Sequence, residues 1–209
     1  MKNYSQNNEQ DTILNYFGAA SEHICFLDIG CNDGLKFSNT FALSLHGSKG
    51  LLVEPAPIAF ERLIKNYHWN EYVILVNAAI GGQNGEAVFY DSGQEDIHKG
   101  GISLLSTLNK EETKRWSSVA FREIEVKVIT FEKLLKDSPY KTFQFISIDA
   151  EGEDVQILKQ IDLGAVGCVC VCVEWNSKPE VLQEIKNHCR KFGLENILLI
   201  NSENIVIGS

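Results

Sequence analysis

Residues 24 to 34, Ile24-Cys25-Phe26-Leu27-Asp28-Ile29-Gly30-Cys31-Asn32-Asp33-Gly34, constrain this chain more than any other stretch. An apolar run ends in an aspartate and passes at once into small and turn-forming residues. A buried strand stopping in a tight turn is the expected structure, and it lets backbone approach a ligand closely where the strand ends. That is the geometry of a nucleotide site.

Spacing narrows the nucleotide. A dinucleotide fingerprint sets glycines as G-x-G-x-x-G so that a pyrophosphate sits on the helix N-terminus, but here Gly30 and Gly34 flank Asn32 as D-x-G-x-N-x-G. No P-loop G-K-[ST] follows. The next apolar run, Gly50-Leu51-Leu52-Val53-Glu54, ends in an acid 20 residues past Gly34. A carboxylate there can accept hydrogen bonds from both hydroxyls of a ribose. The residues favour a nucleoside without a pyrophosphate.

With Val53-Glu54-Pro55-Ala56-Pro57, Asn77-Ala78-Ala79-Ile80, Ser103-Leu104-Leu105-Ser106 and Ser147-Ile148-Asp149-Ala150-Glu151-Gly152-Glu153 in this order, the chain resembles the FkbM-type S-adenosylmethionine-dependent methyltransferases over about residues 24 to 176. Asp33 and Ser147 depart from the small aliphatic residue and the lysine common there. The resemblance implies an α/β fold of the Rossmann-like class I methyltransferase type. Its mostly parallel seven-stranded sheet has the order 3-2-1-4-5-7-6, with helices on both faces and a C-terminal antiparallel hairpin. It implies S-adenosylmethionine as cofactor and an oxygen of a sugar, polysaccharide or small metabolite as methyl acceptor. Carried onto this sequence, the donor site comprises Asp28, Gly30, Cys31, Asn32, Gly34, Glu54, Pro55, Asn77 and Ala78. Asn77 reads equally as a turn asparagine satisfying backbone groups.

A chain of 209 residues with 44% hydrophobic content can bury one sizeable core. A single domain over residues 11–209 is expected, after a flexible polar segment at 1–10. The net charge of −9 and pI near 5.1 argue against nucleic acid as partner, because phosphate binding relies on clustered Lys and Arg. A small-molecule or saccharide acceptor is favoured. With neither a signal-peptide core nor an apolar run of membrane length, the expected compartment is the cytoplasm. Cysteines inside apolar runs behave as small hydrophobes, and the alternation Cys168-Val169-Cys170-Val171-Cys172 places three thiols on one strand face, where packing is favoured over metal binding.

Hydrophobic spacing predicts a helix over 11–17, a helix over 35–45 with Phe37, Phe41 and Leu45 four apart, and a helix beginning at Pro57. Strands are expected at 51–54, 72–76, 86–90, 124–129, 143–149 and 169–175. The tail over 196–200 and 204–207 reads as a hairpin, and Ser177 with Glu180 reads as a capping box. Residues 91–121 are polar and irregular, a candidate acceptor lid carrying His98, Ser103, Ser106 and Trp116 and a short helix over 110–118.

The acids Asp149, Glu151, Glu153 and Asp154 fall where a central strand passes into a helix. Helix N-termini favour acids, which accounts for Glu153 and Asp154. Asp149 and Glu151 are the candidate general bases, with His98 third. Asp149, Glu174 and Asn176 could supply hard oxygen ligands to Mg²⁺, a route kept open while no metal ligand is assigned. Two other classes stay open as well: a binding or scaffolding protein that keeps the fold without turnover, and a nicotinamide-dependent dehydrogenase, which the loop spacing disfavours.

Overall fold

The computed structural model describes residues 2–93 and 104–209. Along the chain run α1 (Glu9–Phe17), β1 (Cys25–Ile29), α2 (Phe41–Leu45), β2 (Lys49–Val53), α3 (Pro57–Tyr67), β3 (Val73–Val76), β4 (Ala79–Ile80) and β5 (Gly85–Asp91). There follow α4 (Lys110–Thr113), β6 (Arg122–Ile129), α5 (Phe131–Asp137), β7 (Phe145–Ile148), α6 (Asp154–Leu158), β8 (Cys170–Glu174), α7 (Pro179–Arg190), β9 (Asn196–Ile200) and β10 (Asn204–Gly208).

The large sheet has the order β3-β2-β1-β7-β8-β10-β9. Counted among its own seven strands this is 3-2-1-4-5-7-6, the expected order. Pairs from β3 to β8 are parallel, while β10 runs antiparallel to β8 and β9. Every residue of β1, β7 and β8 is buried, as parallel strands covered by helices on both faces must be. Alternate residues divide between two cores. Leu27, Ile29, Ile146, Ile148, Val171 and Val173 pack with α5, α6 and α7. Phe26, Leu52, Phe145, Cys170 and Cys172 face α1, α2 and α3.

Several expectations require correction. The helix over 35–45 is confined to Phe41–Leu45, because polar side chains capture the backbone before it. Asp33 Oδ1 accepts from the amides of Leu35 and Lys36, and Ser38 Oγ from those of Thr40 and Phe41. Phe37, at φ 59°, points out to 44% exposure. Beside the large sheet, whose seven strands are those expected, β4, β5 and β6 form a separate three-stranded sheet, β4-β6-β5, packed through Phe89, Val126 and Val128 on Ala56 and Ala59. Cys168 lies in the opposite core from Cys170 and Cys172, since the strand begins only at Cys170. Ser177 makes no capping box: its hydroxyl donates to the Ser202 carbonyl, and α7 starts on Pro179.

The polar beginning of the chain is tied to the C-terminal hairpin. Glu9 is fully buried; its Oε1 accepts from the amides of Asn201 and Asn204 at 2.9 and 3.0 Å, and its Oε2 from Asn7 N at 2.7 Å. Asn7 Nδ2 donates to Glu203 Oε2 at 2.9 Å. Helix α1 therefore starts two residues before the position its apolar spacing predicts, and the segment expected to be a flexible lead is bonded to the hairpin. Replacing Glu9 by Ala removes a buried acceptor shared by three donors and should cost on the order of 3 kcal/mol, read as a lower urea midpoint at unchanged m-value.

Candidate active site

The C-terminal ends of β1, β2, β7 and β8 open into a cavity of about 460 Å³. It lies where strand order reverses between β1 and β7, the place at which open α/β sheets bind ligands. The two strand ends are locked together: Asp149 N donates to Ile29 O at 2.9 Å, and Gly30 N to Val53 O at 2.9 Å. Gly30 has φ 80°, and a Cβ on it would collide with the Asp149 carbonyl oxygen. The first glycine of the loop is thus demanded by its neighbouring strand as well as by backbone conformation.

Glu54 stands one residue past β2, 5% exposed. Its Oε2 accepts from Asn32 N at 2.8 Å and its Oε1 from Ala56 N at 2.7 Å. The amides fix the carboxylate's plane, and each oxygen keeps a second lone pair. Burial pushes its pKa up to about 7 against these hydrogen bonds. Asp28 Oδ2 accepts from Thr40 Oγ1 at 2.6 Å, and burial raises this acid to about 6.

Across the cavity, the turn after β7 carries Asp149, whose side chain is exposed to the cavity although its backbone is held in the sheet. Glu151, at φ 47°, has its carbonyl bonded by Thr107 Oγ1 at 2.7 Å. Asp154 shapes this turn by accepting from Ala150 N at 2.8 Å and Gly152 N at 3.0 Å. Desolvation by the enclosing walls raises them all, and the neighbouring acids add to it. Burial and then Glu151 hold Asp149 well above the carboxylate range; burial and then Asp154 take Glu151 to about 8; burial and then Asp149 raise Glu174. One oxygen from each of Asp149, Asp154 and Glu174 lies within 4.8 Å of the others, and Asn176 lines the same cavity as Asp149 and Glu174.

Asp28, Gly30, Cys31, Asn32, Glu54, Pro55, Ala78, Asp149 and Glu151 line the cavity. Gly34 does not: it packs on α3, where a Cβ would meet Leu63 and Tyr67. Asn77 also stays off the wall, its amide donating to the Glu54 and Pro55 carbonyls at 2.8 and 3.2 Å, which favours the backbone-satisfying alternative. His98 and Ser103 lie outside the described residues. Of the lid residues, Trp116 lines the cavity, and Ser106, also on the wall, bonds to Asp91 and Ser92.

Sequence reasoning missed Lys36 to Asn39, which reach the wall because no helix forms there, and Gln6 and Glu203, brought by the Glu9 anchor. Among the described residues, the acids Asp28, Glu54, Asp149, Glu151, Glu153, Glu174 and Glu203 on this wall are accompanied by Lys36 and Arg115, an excess of acids that favours a ligand with positive charge.

The methyltransferase FkbM domain family matches residues 28–193. No curated protein matches the sequence. Among solved structures, the FkbM methyltransferase from Methylobacillus flagellatus superposes with a TM-score of 0.58 at 11% identity, over 90% of this chain and 44% of that one. This chain thus spans less than half the length of that relative. A Pyrococcus horikoshii protein assigned as an RNA methyltransferase gives 0.52 at 10% identity, covering 97% and 83%. A precorrin-6y methyltransferase from Geobacter metallireducens gives 0.50 at 10% identity, covering 94% and 87%. At these identities the structures are similar in fold alone. No described helix is long and apolar enough to cross a membrane.

The raised acids give stability a direction with pH. A carboxyl whose folded pKa lies above its unfolded value makes the native state bind more protons between the two, so its contribution is full below the unfolded pKa and is lost as pH rises through the folded one. For Glu54 the window runs from 4.5 to about 7. Glu54→Gln should therefore remove on the order of 3 kcal/mol of the loss across this window, read as urea midpoints at both ends for the two proteins.

Proposed function

From the premise that this chain belongs to the methyltransferase FkbM domain family, we propose that it binds S-adenosylmethionine in the cavity and transfers the methyl group to an oxygen of a saccharide or other small metabolite. The observation that carries the reading is Glu54, a buried carboxylate set by two backbone amides at the end of β2 with the cavity in front of it.

The residues suit this donor. Glu54 accepts hydrogen bonds from the ribose hydroxyls, most strongly as a carboxylate, when both oxygens act as acceptors. Ala78, Ala79 and Ile80 with Phe89 provide an apolar wall for the adenine ring. The acid-rich wall complements the sulfonium charge. Bound there, S-adenosylmethionine would supply an activated methyl carbon, which the acceptor oxygen would take as the C–S bond breaks and S-adenosylhomocysteine leaves.

The protein's work is then positioning and exclusion of water, which can supply roughly 7 to 11 kcal/mol of the barrier. Leu104, Leu105, Leu108 and Trp116 close one side of the cavity. The hydroxyl proton passes to a carboxylate oxygen of Asp149 or Glu151. Desolvation raises both acids, with Glu151 adding to the shift of Asp149 and Asp154 to that of Glu151, and a cationic ligand beside them favours their ionised forms.

Isothermal titration of S-adenosylhomocysteine into the purified chain tests the reading. Micromolar binding is expected, with NADH giving none. Glu54→Ala should weaken it by about tenfold or more, and Asp28→Ala should weaken it as well, circular dichroism confirming that both variants fold. Affinity should rise with pH through about 7, as Glu54 ionises, and this rise should be absent in Glu54→Gln. A folded wild-type protein that does not bind would overturn the donor assignment.

A further inference from the structure

We propose that Asp149, Asp154 and Glu174 form a binding site for a hard divalent cation at the end of the cavity away from Glu54. Three elements deliver these carboxylates: the turn after β7, the first residue of α6 and the last residue of β8. One oxygen from each lies within 4.8 Å of the other two. Carboxylate oxygens are the donors that hard divalent cations such as Ca²⁺ and Mg²⁺ take, Ca²⁺ tolerating the more varied geometry.

The second observation is Glu174 itself. It is 7% exposed, and its Oε2 is buried with no hydrogen-bond partner among the described residues. A buried carboxylate oxygen without a donor is costly, and here it belongs to a group of three acids. The nearby cations are engaged elsewhere: Lys178 Nζ pairs with Glu112 Oε1 at 2.6 Å and Arg115 Nη1 with Glu112 Oε2 at 2.9 Å. A bound cation would supply the partner that Glu174 Oε2 lacks and draw the three carboxylates together.

The remaining geometry suits coordination. The amides of Ala150 and Gly152 hold the Asp154 carboxylate in one orientation and leave a lone pair on each oxygen. Asp149 and Glu174 line the cavity, so coordination positions opposite the protein ligands face its interior, where water or ligand oxygens can complete the shell. A ligand with two neighbouring oxygens, such as a vicinal diol or a hydroxy acid, would chelate there. This last step rests on the methyl-transfer reading; the cation site does not.

Mn²⁺ binding, followed by electron paramagnetic resonance on the full chain freed of metal by chelation, provides the test. One saturable Mn²⁺ displaced by Ca²⁺ is expected in wild type. Glu174→Gln and Asp149→Asn should each weaken it at least about tenfold, with thermal unfolding confirming folded samples. Absence of saturable binding in wild type, or binding that both variants leave unchanged, would overturn the site. S-adenosylhomocysteine titrated into the same wild-type sample separates the two readings. Nucleoside binding without Mn²⁺ binding leaves the donor assignment standing and removes the cation, and the reverse result does the opposite.

Discussion

The contact on which the structure turns is the close approach of β1 and β7 at their C-terminal ends. Asp149 N bonds the Ile29 carbonyl, and the Asp149 carbonyl occupies the space that a side chain at Gly30 would need. Because the two turns leave the sheet from adjacent points in opposite directions, a crevice opens between them. Every functional group then takes its place relative to that crevice: Glu54 from the strand beside β1, Asp149 and Glu151 from the turn after β7, Glu174 from β8. Widening the contact would separate the nucleoside end of the cavity from its acids.

The cavity gathers carboxyl groups whose ionised forms folding alone does not favour. Glu54, Asp28, Glu151 and their neighbours are all shifted toward their protonated forms, burial being the first cause in each. Such a site stores binding energy for positive ligands: each carboxyl that ionises on complex formation converts a desolvation cost into an attraction. A sulfonium donor and a divalent cation are two species able to use it, at opposite ends of the cavity.

How far the sequence could be read depended on whether the determining contacts were local. The strands β1, β2, β7 and β8 and the final hairpin were legible because alternating or continuous apolar runs report burial directly. Helical spacing at Phe37, Phe41 and Leu45 misled, since Asp33 and Ser38 spend their side chains on the backbone amides that a helix would have needed elsewhere. The small sheet was hidden for another reason. The strands at 85–91 and 122–129 are visible one by one, but their pairing with each other and with Ala79–Ile80 spans a long intervening excursion.

By itself the sequence determined the strand-to-turn junction at Asp28 to Gly34, the acid ending the second strand, and an order of elements compatible with one sheet topology. These follow from residue type and short-range spacing. Tertiary structure decided which residues meet. It turned Gly34 toward α3 and bound the Asn77 amide to backbone carbonyls. It grouped Asp154 with Asp149 and Glu174 and brought Gln6 to the cavity through the Glu9 anchor. In each case the deciding distance lies between side chains on different elements, and no local preference of the chain sets it.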